Sequence, residues 1–260
     1  MSFGHLRQLT RGLAFGAAII FIEALLGMSN AQSAELQVIA GGGIAEPLKE
    51  ITAEFTRATG LRVALRFGTV PELVRMAMAP EPIDLCVVPQ DMFLNDGARA
   101  RFVGGIRPIV ARVGIGLAVR KGVARPDISN PEALKRTLLA AASVASIPAS
   151  ATGTQLAGIY ERLGIGAAMK AKTKAQTTPG GIAEAVVKGD ADLAVFLINV
   201  ISDPRLDAVG PFPAGVQRHI IYETAVVARP AQAEIATAFI TQLLSPAAAR
   251  IIKARGMEPG

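Results

Sequence analysis

Residues 36–60, LQVIAGGGIAEPLKEITAEFTRATG, join two different hydrophobic periods. In the first half Leu36, Val38 and Ala40 alternate with Gln37 and Ile39, which predicts a strand. In the second half Ile44, Leu48, Ile51 and Phe55 recur at helical spacing, which predicts a helix. Three glycines, Gly41 to Gly43, stand at the junction. Glycine allows close backbone approach and positive φ, and a helix start presents unpaired N–H groups with partial positive charge. An anion site and a merely tight turn both fit that arrangement.

Working outward, the same strand–small-residue–helix unit repeats. RVALRFG is a second strand, followed by the helix VPELVRMAMA with Pro71 at an early helical position. IDLCVVP is a third strand. IVARVGIGLAVR (109–120) is too long for an ordinary strand and is expected to leave one lobe and enter another. A second set follows: a helix from Pro131 capped by Ser129 or Asn130, the strand SVASIP, the loop ASATGT, and the helix QLAGIYERLGI. GGIAEAVVKGDADLAVFLIN repeats the pattern with a strand over 193–198. HIIYETAVVAR (219–229) mirrors the first long run. Alternation of this kind predicts α/β lobes with largely parallel sheets. The two long runs predict a two-strand hinge, with lobe one over 35–112 and 226–260 and lobe two over 113–225. Ligands of such open sheets sit at the carboxyl ends of strands, here between the lobes.

The chain has 260 residues and a net charge of +6, yet no Trp and two Tyr. Single-strand nucleic-acid binders need basic grooves with stacking aromatics, so nucleic acid is not an expected partner. The densest basic cluster, KAKTK (170–174), reads as a solvated helix face. Arg7 and Arg11 precede the apolar run GLAFGAAIIFIEALLGM, and SNAQSAEL follows. That order predicts a secretory leader over residues 1–34, cleaved near Ser29–Ala31 or Ala31–Ser33, and export to the periplasm. The apolar run carries Glu23 and is shorter than the roughly 20 residues of a membrane crossing. The sole cysteine, Cys86, lies in an apolar strand and reads as a core thiol.

The opening unit, the small-residue loop FGTVPEL after strand two, the string PIDLCVVPQD and the ending FITQLLSPAAARIIKARGMEP together resemble the type II periplasmic solute-binding proteins of ABC transporters. The molybdate-binding group is the nearest, and the resemblance spans about residues 35–259. It implies a two-lobed fold, a small anionic ligand, an ABC transporter permease as partner, a monomer and no cofactor. In that group hydroxyls and backbone N–H groups from four loops hold the oxyanion. The resemblance places those loops at Gly41–Gly43, Gly68–Thr69, Ser150–Thr154 and Gly180–Ile182. The ligand-binding residues it implies are Gly42, Gly43, Ile44, Gly68, Thr69, Ser150, Thr152, Gly153, Gly181 and Asn199. Gly42 or Gly43 stands where the family has a serine, and Leu197 or Phe196 where it has a tyrosine. With two hydroxyl donors missing, a di- or tricarboxylate is expected over molybdate.

Other chemistries find little purchase. AGGGIAEP carries Glu46 where a dinucleotide fingerprint has its third glycine, and no G-x-x-x-x-G-K-[ST] or G-x-S-x-G occurs. Beyond the leader the one histidine is His219, which excludes ordinary His/Cys metal spacing. Two classes remain: a non-catalytic binding protein, and an enzyme on the same scaffold. The resembled family includes an aconitate isomerase, whose reaction needs a base at an allylic carbon. Glu46, Glu72, His219 and Glu223 are the candidates. Strand alternation sets His219 and Glu223 on the face opposite Ile220 and Tyr222, and either pair would reach a ligand if the strand passes the cleft.

Overall fold

The computed structural model describes residues 35–260; the leader read over residues 1–34 lies outside the described residues. Strand β1 (Glu35–Gly41) leads through a single 3-10 turn, Gly42–Ile44, into helix α1 (Ala45–Thr59). The helix buries Leu48, Ile51 and Phe55 and stops at Gly60, whose φ of 73° is the left-handed stop that glycine tolerates. Strand β2 (Arg62–Gly68), helix α2 (Val70–Met78) and strand β3 (Leu85–Pro89) follow, then a 3-10 segment and the short α3 (Asp96–Ala100).

Strand β4 (Ile109–Arg120) occupies the whole of the first long run. Beyond it come α4 (Pro131–Ala140), β5 (Val144–Ser146), α5 (Ala151–Arg162), α6 (Gly166–Lys172), β6 (Thr173–Ala175), α7 (Pro179–Lys188) and β7 (Leu193–Leu197). The chain continues through α8 (Ile198–Ile201), β8 (Leu206–Pro211), β9 (His219–Val226), α9 (Ala233–Leu243), α10 (Pro246–Ala254) and β10 (Glu258–Pro259).

Strand order is β2-β1-β3-β9-β4-β7-β5-β6, with β8 and β10 also pairing to β4. β1 pairs in parallel with β2 and β3, and β5 with β6 and β7. β9 lies antiparallel between β3 and β4. β4 serves both halves of the sheet. Its residues up to Gly114 pair with β9, and those from Ile115 onward pair with β7. At that changeover the Gln217 carboxamide acts as a fragment of strand: it accepts from the Ile115 N–H at 3.0 Å and donates to the Ile115 carbonyl at 2.9 Å. Buried backbone groups need partners, and here a side chain supplies them where the ladder changes hands.

Packing fixes the helices around this frame. Phe55 of α1 meets Phe239 of α9 edge to face, centroids 5.2 Å apart. The buried Asp84 carboxylate accepts from the Gln37 N–H at 2.9 Å and the Gln232 N–H at 3.1 Å, tying β1 to the segment entering α9.

Three sequence readings are corrected. The loop read as ASATGT ends at Ser150, because Ser150 caps α5 by accepting from the Gly153 N–H at 3.0 Å. Thr152, Gly153 and Thr154 are therefore helical. Gly180 and Gly181 likewise fall inside α7, which Thr178 caps. KAKTK is not one helix face: it spans the end of α6 and the edge strand β6, and Lys172 donates to the Ala141 carbonyl at 2.8 Å. Of the two capping choices for α4, Asn130 makes the bond, accepting from the Ala133 N–H at 2.9 Å. Cys86 is fully buried, and burial pushes its thiol up.

Candidate functional site

The parallel strands of both halves end on one cavity of about 240 Å³. Gly41, Gly68 and Pro89 terminate β1, β2 and β3; Leu197 terminates β7; Ile147 and Ser150 follow β5, and Thr177 and Thr178 follow β6. Each strand end hands over to a helix or a 3-10 turn, so four helix starts border the same space: Gly42–Ile44, the start of α2, the start of α5 and the start of α7. First-turn N–H groups have no intrahelical acceptor and carry partial positive charge. Among the described residues Glu72 is the only charged side chain on the cavity wall. An anion here would be met by backbone dipoles and neutral hydroxyls.

The glycines at the junction serve close approach. None of Gly41, Gly42 and Gly43 has positive φ. A methyl group on Gly41 would stand 2.8 Å from Tyr222 Cε1, and one on Gly43 would stand 2.3 Å from Tyr222 Oη and 2.5 Å from Leu197 Cδ1. The Tyr222 ring therefore lies against the glycine turn, and only hydrogen fits between them. Gly42 differs: its nearest neighbours would be Pro179 Cγ at 3.8 Å and the Gly68 carbonyl at 4.0 Å.

Gly42, Gly43, Gly68, Thr69, Ser150 and Thr152 all line this cavity. The other four expected residues do not. Ile44 is buried in the core beneath the turn. Gly153 packs against the carbonyls of Ile147 and Pro148. The Gly181 N–H is spent on the Thr178 hydroxyl at 3.2 Å. Asn199 holds the turn from behind, its Nδ2 donating to the Gly43 carbonyl at 2.9 Å, and it faces a neighbouring groove of about 730 Å³.

The hydroxyls are not equivalent. Ser150 is committed twice, donating to the Ile147 carbonyl at 2.7 Å and accepting from Gly153. Thr69 donates its hydroxyl to Glu72 Oε2 at 2.8 Å, and its N–H donates to the same oxygen at 2.7 Å. Thr152 and Tyr222 are 3% and 2% exposed, and neither hydroxyl bonds to another described residue. Burial pushes the Tyr222 phenol up, so it stays protonated at neutral pH.

Of the four acid–base candidates only Glu72 borders the cavity. Glu46 is on the surface, paired with Lys49 at 2.8 Å. His219 is exposed. Glu223 lies on the opposite face of β9, 3.9 Å from Arg107. The face of β9 that reaches the cavity is the one carrying Ile220 and Tyr222. Phe67, Thr177 and Thr178 had no signal in the sequence, because their placement depends on how the strands pair.

The Thr69 N–H, then the Thr69 hydroxyl, hold the Glu72 carboxyl below its ordinary value of 4.5. A depressed acid stabilises the fold above its unfolded pKa and loses that contribution as pH falls through the folded value. Comparing melting temperatures of wild type and Glu72→Gln between pH 3 and pH 8 tests this. The variant should be less stable at neutral pH, by up to about 1 kcal/mol for a partly exposed cap. The difference should close below pH 4.5. A gap that is constant with pH would assign Glu72 another role.

The fold aligns with that of a periplasmic molybdate-binding protein from Azotobacter vinelandii at a TM-score of 0.71, with 17% identity, covering 86% of this chain and 99% of that one. It is the architecture of the two-lobed periplasmic binding proteins. A model described as bacterial extracellular solute-binding protein matches residues 36–258, and the chain belongs to that family. It is 30% identical to an aconitate isomerase from a Pseudomonas species over 95% of both chains. It is 24% identical to the molybdate-binding protein ModA of Azotobacter vinelandii, over 92% of this chain and 95% of that protein.

Proposed function

We propose that this protein is exported to the periplasm and captures a small di- or tricarboxylate between its lobes for delivery to an ABC transporter permease. Lobe one would comprise residues 35–112 and 226–260, and lobe two residues 113–225. Gly42, Gly43, Gly68, Thr69, Ser150 and Thr152 would surround the ligand. The observation that carries the choice of ligand is the composition of the cavity wall. Helix starts and hydroxyls alternate there with Phe67, Ile147, Phe196, Leu197 and Ile220. An inorganic oxyanion presents oxygen in every direction and leaves that carbon surface without a partner. A polycarboxylate brings carboxylates for the helix starts and a carbon skeleton for the apolar wall. The volume also accommodates more than one small oxyanion, being equivalent to about eight waters at liquid density.

The test is a thermal-shift and calorimetric comparison of citrate and trans-aconitate with molybdate, tungstate and sulfate. At roughly a hundredfold excess over Kd, a ligand stabilises by about 2.7 kcal/mol. For a chain of this size that is a rise of about 5–10 °C. The carboxylates should produce it and the oxyanions should not. Micromolar molybdate affinity would overturn the proposal.

A second reading, aconitate isomerisation, is favoured by the identity to the Pseudomonas enzyme and by the place of Glu72 on the cavity wall. The reaction moves a proton from one end of an allylic system to the other, with the double bond shifting and nothing oxidised. Against Glu72 as its base stand the two bonds from Thr69, which lower its basicity, since a general base works best with a pKa near the operating pH. Incubation with trans-aconitate, followed by proton NMR, separates the readings. Binding without cis-aconitate formation supports capture. Conversion that disappears in Glu72→Gln supports catalysis.

A further inference from the structure

We infer that the Tyr222 hydroxyl is a ligand contact, presented by β9 and independent of the helix starts, and that it selects an organic carboxylate over an inorganic oxyanion. This rests on the carboxylate reading of the cleft. Buried tyrosine hydroxyls ordinarily find a partner, because an unmade bond costs about 1–3 kcal/mol. Tyr222 is 2% exposed, its hydroxyl bonds to no described residue, and it lines the cavity. Its ring cannot turn away. Gly41 and Gly43 lie against one side of it, Pro89 and Leu197 abut the same turn, and no side chain larger than hydrogen fits between ring and turn.

Among the described residues four other buried hydroxyls without partners, those of Thr52, Ser146, Tyr160 and Thr224, are sealed from solvent and border no part of this cavity. Tyr222 is therefore an orphan with an open side. The other such hydroxyl on the wall is Thr152, on the first turn of α5. Beside the Tyr222 hydroxyl stands carbon, since Leu197 Cδ1 meets the same point over Gly43, and Phe196 and Ile220 add apolar surface to the same cavity. One neutral donor set in an apolar surround suits a carboxylate oxygen whose neighbour is a carbon chain. A tetrahedral oxyanion placed there would press further oxygens against Leu197, desolvated and unbonded. Because burial keeps the phenol protonated, the donor persists across the neutral range.

The test is titration of wild type and Tyr222→Phe with trans-aconitate, citrate and molybdate. A hydrogen bond to a charged group is worth roughly 1.5–3 kcal/mol, so carboxylate affinity should fall about 10- to 100-fold. The melting temperature without ligand should hold, since the ring remains. If Tyr222→Phe binds trans-aconitate and citrate as wild type does, the inference is wrong while the carboxylate reading stands. If it weakens molybdate and carboxylates equally, the selectivity claim is wrong. If wild type binds neither carboxylate, both fall together. A measurement without substitution at the site uses the fact that the chain has two tyrosines. In protein labelled with 3-fluorotyrosine, trans-aconitate should move the Tyr222 fluorine resonance, assigned with Tyr160→Phe, and leave that of Tyr160 in place. An unmoved Tyr222 resonance at saturating trans-aconitate overturns the inference.

Discussion

Gly43→Val is expected to abolish carboxylate binding and to lower stability in one step. The first valine carbon would lie 2.3 Å from Tyr222 Oη and 2.5 Å from Leu197 Cδ1. Leu197 can swing a methyl aside, but the tyrosine oxygen sits on a rigid ring already lodged against Gly41. Overpacking of this kind costs about 1–3 kcal/mol, and the displaced ring or turn would no longer present the same donors. Calorimetry with trans-aconitate should show at least a hundredfold loss, and thermal melts a drop of several degrees. The cause is separable from general damage. In Gly43→Ala the clash with oxygen should be relieved by adding Tyr222→Phe, because the next ring atom, Tyr222 Cζ, is 3.6 Å away. Stability should then return while affinity does not. If Gly43→Val binds and melts like wild type, the packing of Tyr222 on the turn is wrong.

That pairing explains where sequence reading succeeds and where it stops. The two hydrophobic periods on either side of Gly41–Gly43 specify β1 and α1 locally, and β4 matches its long apolar run residue for residue. These depend on periodicity within one segment. The reason for the glycines does not. It lies in Tyr222, far along the chain, which reaches the turn because β9 inserts antiparallel beside β3 and sets Tyr222 opposite Pro89. Alternation separated Ile220 and Tyr222 from His219 and Glu223, but only the strand's neighbours decide which face meets the cavity. Leu197 and Phe196 bring no hydroxyl where the resembled group has its tyrosine, and the phenol on this cavity wall comes from another strand. Glycines in α5 and α7 read as loop in the sequence for a related reason. A glycine after a cap residue looks like loop until the cap bond is seen, and Ser150 and Thr178 make those bonds to Gly153 and Gly181.

Gly153 carries the second large expectation, and it concerns the fold. A methyl group there would stand 2.2 Å from the Pro148 carbonyl oxygen, 2.5 Å from that of Ile147 and 2.6 Å from the Pro148 carbonyl carbon. All three contacts are backbone, so no rotamer change relieves them. The first turn of α5 would have to move away from the loop that precedes it. That movement stretches the Ser150 cap, which joins the Gly153 N–H to the Ile147 carbonyl through one hydroxyl. Overpacking and the lost cap together should cost about 3 kcal/mol or more for Gly153→Ala. That is a fall of about 6–12 °C in melting temperature. Gly42→Ala is the matched control, since its added carbon meets nothing nearer than 3.8 Å and Gly42 does not have positive φ. It should melt within a degree or two of wild type while narrowing the cavity it borders. A Gly153→Ala protein as stable as wild type would mean that α5 does not start against Ile147 and Pro148. The cavity wall built on Ser150 and Thr152 would then need redrawing.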